Sequence, residues 1–189
     1  MADVRCFFCL PLPWELAAKI GAWVDSCRGS RALGGARWCS RANLHITLKF
    51  CGEIPPETVK TVSAAAKNAL AGKFPSPIGL EIGGQGTFGR PPRVLFAKTE
   101  GETEKVSALN STIEGICREA GLPPERRRFS PHLTLARLNG AFPLDALPKW
   151  GLSGEKWLAD RVVFMQSRLT PQGARYSPID VIGLVKTEV

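Results

Sequence analysis

Only two histidines occur in the 189 residues, and each opens the same four-residue word. His45-Ile46-Thr47-Leu48 lies in "NLHITLKF", and His132-Leu133-Thr134-Leu135 lies in "SPHLTLAR". Alternation of apolar with polar residues reads as β-strand, on which alternate side chains share a face. His45 and Thr47 then point one way while Ile46 and Leu48 point the other, and His132 and Thr134 do the same against Leu133 and Leu135. Two such strands side by side would make a floor of two imidazoles and two hydroxyls. That set suits phosphoryl transfer without a metal. One neutral imidazole takes a proton from attacking water and one imidazolium gives a proton to the leaving oxygen. An ordinary histidine pKa of about 6.5 lets both protonation states coexist near neutrality. Threonine hydroxyls donate to non-bridging phosphoryl oxygens and stabilise the charge that builds there. A lone histidine on a strand is more often a structural or surface residue, but two in the same word are not explained that way. The words are chemically equivalent on paper, so ring environments must decide which imidazole is acid and which is base.

Metal binding is the other use of paired histidines. A catalytic zinc site normally takes three protein ligands, and neither word has an acidic neighbour or the H-E-x-x-H spacing. The expectation is no metal and no cofactor. Gly84 to Gly89 matches G-x-G-x-x-G, yet the dinucleotide-binding use of that pattern requires a helix to begin there. "RPPR" and an apolar run follow instead, so these residues read as a glycine-rich turn. The six cysteines include a C-x-x-C at Cys6 and Cys9 inside the apolar "VRCFFCL". Residues three apart on a strand face opposite ways, so buried free thiols are expected, not a zinc or redox pair.

Rigid elements must position the two words. "VRCFFCLPL" reads as a buried strand. A helix follows, with Leu16, Ile20, Trp23, Val24 and Cys27 on one face and Gly29 as its stop. "ARWCS" and "NLHITLKFCG" are strands, and a second helix after Pro55-Pro56 carries Val59, Val62 and Ala66 inward. "IGLEIGGQGTF" and "RVLFAKT" are strands again. A helix over about 102–120 shows the clearest stripe: Val106, Leu109, Ile113, Ile116, Cys117 and Ala120, ended by Gly121. "HLTLARL", "DRVVFMQSRL" and "YSPIDVIGL" are later strands, with a short helix near 144–149. This order argues for an α+β fold with largely antiparallel sheets.

The formal net charge of +8 favours polyanionic partners. Arg126-Arg127-Arg128, just before the second word, reads equally as an RNA-backbone contact and as a solvated loop. Phe7, Phe50, Phe88 and Tyr176 could stack a terminal base, although strand aromatics are more often core. No apolar run reaches membrane-spanning length, and "MADVRCFFCLPLP" lacks the basic start of a signal peptide. A cytoplasmic monomer without membrane association is the simplest expectation.

With these residues in view, the chain resembles the two-histidine phosphoesterases, and among them the RNA 2′,3′-cyclic phosphodiesterases, also called 2′–5′ RNA ligase-like proteins. The likeness rests on "VRCFFCLPLP", "NLHITLKFCGEI", "GTFGRPPRVLFA", "RRFSPHLTLAR" and "SRLTPQGARYSPI". It implies one bilobal domain over residues 1–189, two similar α/β lobes around a cleft, with one H-x-T-L word from each. It further implies metal-independent hydrolysis of a 2′,3′-cyclic phosphate, on RNA ends or nucleotides, to a 2′-phosphomonoester. Family members were also described as joining tRNA halves through a 2′–5′ linkage, the reverse of the same chemistry. By the family pattern His45 is the proton donor and His132 the acceptor, Thr47 and Thr134 hold the phosphate, and Arg137 matches a phosphate-contacting arginine. Strand parity disagrees on the last point, since Arg137 is five residues from His132 and faces away on a regular strand; a bulge would bring it round. Cys51 stands where relatives commonly carry a larger aliphatic residue. The competing reading is a module that grips a nucleotide or RNA end without turnover, but binding alone needs no acid and base.

Overall fold

The computed structural model describes residues 2–139, 142–171 and 173–185. Twelve elements matter for the site. They are β1 (Val4–Pro11), α1 (Trp14–Arg28), β2 (Ala36–Trp38), β3 (His45–Ile54), α2 (Pro56–Leu70) and β4 (Ile78–Phe88), then β5 (Val94–Gly101), α3 (Thr103–Glu119), β6 (His132–Leu138), β7 (Lys156–Ala159), β8 (Arg161–Thr170) and β9 (Gly173–Gly183). All nine strands join one antiparallel sheet in the order β7-β4-β5-β6-β3-β1-β8-β9, with β2 beside β6. The two histidine words start β3 and β6, the neighbours at the middle of that order. One continuous sheet therefore carries both words, and the fold is α+β as expected.

The three helices lie on one face of this sheet. Burying an aliphatic or aromatic side chain is worth about 1.5–3 kcal/mol, and each helix offers one stripe for it. Leu16, Ile20, Trp23, Val24 and Cys27 of α1, Val59, Val62 and Ala66 of α2, and Val106, Leu109, Ile113 and Cys117 of α3 are all buried. They pack on the inward residues of the strands, including Phe8, Leu10, Ile46, Leu48, Leu133 and Leu135. Ile116 and Ala120 sit only at the edge of this core. The α3 helix stops as its glycine predicts. Gly121 takes φ +81°, Leu122 N–H donates to the Cys117 carbonyl at 2.9 Å, and Gly121 N–H donates to Arg118 at 3.0 Å. No helix among the described residues is long and apolar enough to cross a membrane.

Three expectations change. Residues 144–149 form no α-helix; a single 3₁₀ turn covers Leu144–Ala146, because the surrounding prolines leave too little chain to nucleate one. The glycine-rich stretch is not a turn up to its end. Gly84 to Phe88 complete β4, and the turn begins at Gly89, which takes φ +92°. Strand β7 went unread, since four residues with one strong aromatic give little periodicity. All six cysteines are free: Cys6 faces the helix-side core and Cys9 the opposite face, while Cys39 is only half-buried.

Candidate active site

The face away from the helices carries both words. Strands β3 and β6 run antiparallel with Ile46 opposite Leu133. One step along that register sets His45 opposite Thr134 and Thr47 opposite His132. The four side chains thus occupy the corners of a square, histidines on one diagonal and threonines on the other. Diagonal neighbours on adjacent strands stand roughly 7–8 Å apart, a gap that accepts one tetrahedral phosphate between two imidazole edges.

Each ring is held in the same way. His45 Nδ1 lies 2.8 Å from the Asn43 carbonyl, and His132 Nδ1 lies 2.7 Å from that of Ser130. A carbonyl only accepts, so Nδ1 carries the proton in both rings and Nε2 is left for the cleft. At His45 the Nε2 lone pair accepts a hydrogen bond from the Thr47 hydroxyl at 3.0 Å. Asn43 is doubly committed, since its side-chain amide also donates to Ala174 of β9 at 2.7 Å. Sequence reasoning missed this residue, although its place two before the histidine was a usable signal.

Aromatic rings wall the site on both sides. Phe7 stacks on His45 with centroids 4.8 Å apart, and Tyr176 meets both rings edge-on. Across the square, Phe88 and Phe96 stack on each other at 4.1 Å and meet His132 edge-on. Phe96 was not singled out from sequence. The room for it comes from Gly86, where an added Cβ would lie 2.6 Å from the Phe96 ring. Here the glycine pattern has its use: it makes space under an aromatic shelf. Of the other candidate aromatics, Phe50 is exposed and lies under the Arg5 guanidinium, 4.4 Å from its ring centre.

Burial sets the electrostatics. It pushes His45 down to about 4, opposed by the Asn43 carbonyl and reinforced by the field of His132. Burial also lowers His132, opposed by the Ser130 carbonyl. Both rings are therefore neutral near pH 7. Among the described residues, no group of three or more His, Cys, Asp and Glu side chains is placed to hold a metal.

A β-bulge resolves the position of Arg137. In the pairing of β5 with β6, Leu95 faces Ala136 and Phe96 faces Thr134, which leaves Leu135 without a partner. The extra residue inverts the alternation, so that Leu135 and Ala136 are both buried and Arg137 emerges on the face of His132. The regular-strand expectation for Arg137 is thus overturned. Its charge acts on Tyr176 and Cys39. The first word repeats the device. In β1 against β3, Phe8 faces Lys49 and Cys9 faces Thr47, with Leu48 left over. Both strands then run half-buried, buried, half-buried, buried, buried, exposed, buried from their histidines. Each bulge carbonyl is satisfied: Asn110 Nδ2 of α3 donates to Leu48 at 2.8 Å, and the Cys39 N–H donates to Leu135 at 2.8 Å. Arg126, Arg127 and Arg128 are exposed ahead of the second word, with Arg127 paired to Glu125.

Known proteins share this fold and parts of this sequence. A protein named RNA 2′,3′-cyclic phosphodiesterase from Aeropyrum pernix is 37% identical over 109 residues, which are 57% of this chain and 60% of that protein. One of the same name from Methanothermobacter thermautotrophicus is 28% identical over 190 residues, covering 96% of this chain and 99% of its own. The crystal structure of TT0787 of Thermus thermophilus superposes with a TM-score of 0.80 at 28% identity, over 97% of this chain and 100% of that one. The family description "2'-5' RNA ligase superfamily" matches residues 16–170, a span that takes in both histidine words and most of the sheet. The chain belongs to the 2′-5′ RNA ligase superfamily.

Proposed function

We propose that the protein is a metal-independent RNA 2′,3′-cyclic phosphodiesterase, one bilobal domain over residues 1–189, that opens the cyclic phosphate of an RNA end or nucleotide to a 2′-phosphomonoester. The observation that carries this reading is the square of two imidazoles and two hydroxyls set by the Ile46–Leu133 register. The proteins of that name among its relatives support it. Thr47 and Thr134 donate to the non-bridging oxygens, and Arg137 adds positive charge from the same face. His132 takes a proton from water as the water oxygen bonds to phosphorus. The P–O3′ bond breaks on the opposite side, and His45 gives its proton to the departing oxygen. The anionic substrate brings that proton within reach, because a negative charge between two imidazoles raises the pKa of both.

The test is hydrolysis of a 2′,3′-cyclic nucleotide in excess EDTA, with products identified by phosphorus NMR. A 2′-phosphomonoester is expected. Activity that needs an added metal, or a 3′-phosphate product, would overturn the mechanism. Binding without product under any condition would make the protein a nucleotide-end binding module.

Two further outcomes follow from the site. The active form carries one proton on the histidine pair, and kcat/KM reports the free enzyme. Since burial holds His45 near 4 and His132 below its ordinary value, kcat/KM should peak on the acid side of pH 6.5. It should fall as pH rises and the pair loses its proton. The kcat profile should lie at higher pH, because bound substrate raises both groups. A kcat/KM maximum above pH 7 would contradict the burial argument. Replacing Thr47 or Thr134 with Val removes one donor to the phosphoryl oxygens at nearly constant volume. The expected loss in kcat is about ten- to a thousand-fold for each, by analogy with single oxyanion-hole donors. An unchanged rate would show that the hydroxyl does not touch the phosphate.

A further inference from the structure

The square is symmetric, but its surroundings are not. On the His45 side a pocket of about 310 Å³ opens between the start of α1 and β9, walled by His45, Tyr176, Met165, Leu12, Trp14 and Arg41. That volume is at the lower end of what holds a small organic ligand, about 300–1,000 Å³, enough for one nucleoside and too little for two. Trp14 is 66% exposed, which is unusual for a side chain with this much apolar surface. Its ring is not free to turn into the core, because Trp14 opens the first turn of α1, where the inward positions belong to Leu16 and Ala17. The Arg41 guanidinium stands over the Trp14 ring, 5.5 Å from its centre. The Arg41 stem lies along α1 at Gly21, where an added Cβ would come within 3.1 Å of the Arg41 Cβ. The glycine thus lets the arginine lean toward the tryptophan.

In-line displacement says which part of the substrate enters this pocket. Attacking water and departing oxygen lie on opposite sides of the phosphorus, so the nucleoside is on the side of the proton donor. We infer that the Trp14–Arg41 pocket is the subsite for the nucleoside that carries the cyclic phosphate, with its base stacked on the indole and its edge turned to the guanidinium. This rests on the assignment of His45 as donor given above. Trp14, Met165 and Leu12 offer apolar and aromatic surface that any base would cover. Stacking of this kind tolerates all four bases, and Arg41 is the lining group that carries a charge at neutral pH. Arg41 donates hydrogen bonds and accepts none. A base that turns two acceptors toward it, as guanine does, is favoured over adenine, which pairs an acceptor with a donor.

Calorimetric titration of the full chain with guanosine 2′-phosphate, adenosine 2′-phosphate and inorganic phosphate tests the pocket without requiring turnover. In Trp14→Ala the ratio of nucleotide affinity to phosphate affinity should fall about ten-fold, within the 1–3 kcal/mol that base–aromatic stacking supplies. In Arg41→Ala the preference for guanosine over adenosine should disappear. Gly21→Ala, which leaves every lining group in place but crowds the Arg41 stem, should reduce that preference in the same direction. Ratios and preferences unchanged from the wild-type protein in all three variants would overturn the subsite. Turnover of cyclic nucleotides with no dependence on Trp14 would sink the pocket and spare the catalytic reading. Nucleotide binding that depends on Trp14 with no turnover would do the reverse.

Discussion

Replacing His132 with Ala is expected to lower kcat on a 2′,3′-cyclic nucleotide by about 10²–10⁴, the usual worth of a positioned general acid or base. The melting temperature should barely move. His132 is half-buried, its Nδ1–H satisfies a Ser130 carbonyl at the start of a strand, and solvent can replace that donor. His45→Ala should cost a similar factor in rate and more in stability, because His45 stacks on Phe7 and holds the carbonyl of a turn tied to β9. The double variant should be scarcely slower than either single one, since acid and base act as a unit and their losses do not add. Steady-state rates and thermal melts of the three variants decide the matter. Either single variant within ten-fold of wild-type kcat would end the acid–base pairing.

The largest expected loss of stability lies behind the site. Lys49, one residue beyond the Leu48 bulge, turns its side chain into the helix-side core and is 5% exposed. Its Nζ donates to Glu114 Oε2 of α3 at 2.9 Å and to the Pro123 carbonyl at 3.0 Å. Glu114 Oε1 stands at the same distance as the other oxygen but makes no hydrogen bond. Deleting one partner of a buried pair leaves an uncompensated charge, which costs about 3–5 kcal/mol. Glu114 is partly exposed, so Glu114→Ala should fall near the low end, about 3 kcal/mol by that same comparison. A chain of this size loses roughly 2–4 °C per kcal/mol, which makes the drop in Tm about 10 °C. The paired change Lys49→Met with Glu114→Leu should recover most of it, because an apolar pair of similar volume carries no desolvation penalty. A Tm within 2 °C of wild type for Glu114→Ala alone would show that water already reaches Lys49.

The elements were legible because helix stripes and strand alternation were strong. Every α1 and α2 residue that the period placed inward is buried, and the stop of α3 at Gly121 was readable too. The buried Ala17, Gly21, Ser63 and Leu70 were not singled out. The square of two histidines and two threonines was readable in kind, since a duplicated word with its own alternation leaves few other uses for the only histidines. What the sequence concealed were features that break the alternation. The bulge at Leu135 turned Arg137 toward the cleft, and nothing in "LTLAR" marks the unpaired residue. Lys49 sits in the core for the same reason, one residue past the twin bulge, where simple parity would have sent it outward. Phe96 and Trp14 were obscure for a different cause: an aromatic on a strand or at a helix start has too many ordinary uses for type alone to single it out. The glycine stretch before Phe88 read as a turn because its packing reason, the Phe96 ring above Gly86, lies on another strand.

The seam between the halves of the sheet has a metric consequence. The span between the backbones of His45 and His132 is fixed by one strand-to-strand spacing of about 4.8 Å and one two-residue step along the ladder. No loop or hinge enters that length. The cleft therefore works as a ruler. Whatever lies at its ends, the distance between the two histidine backbones is as invariant as the hydrogen bonding of the sheet.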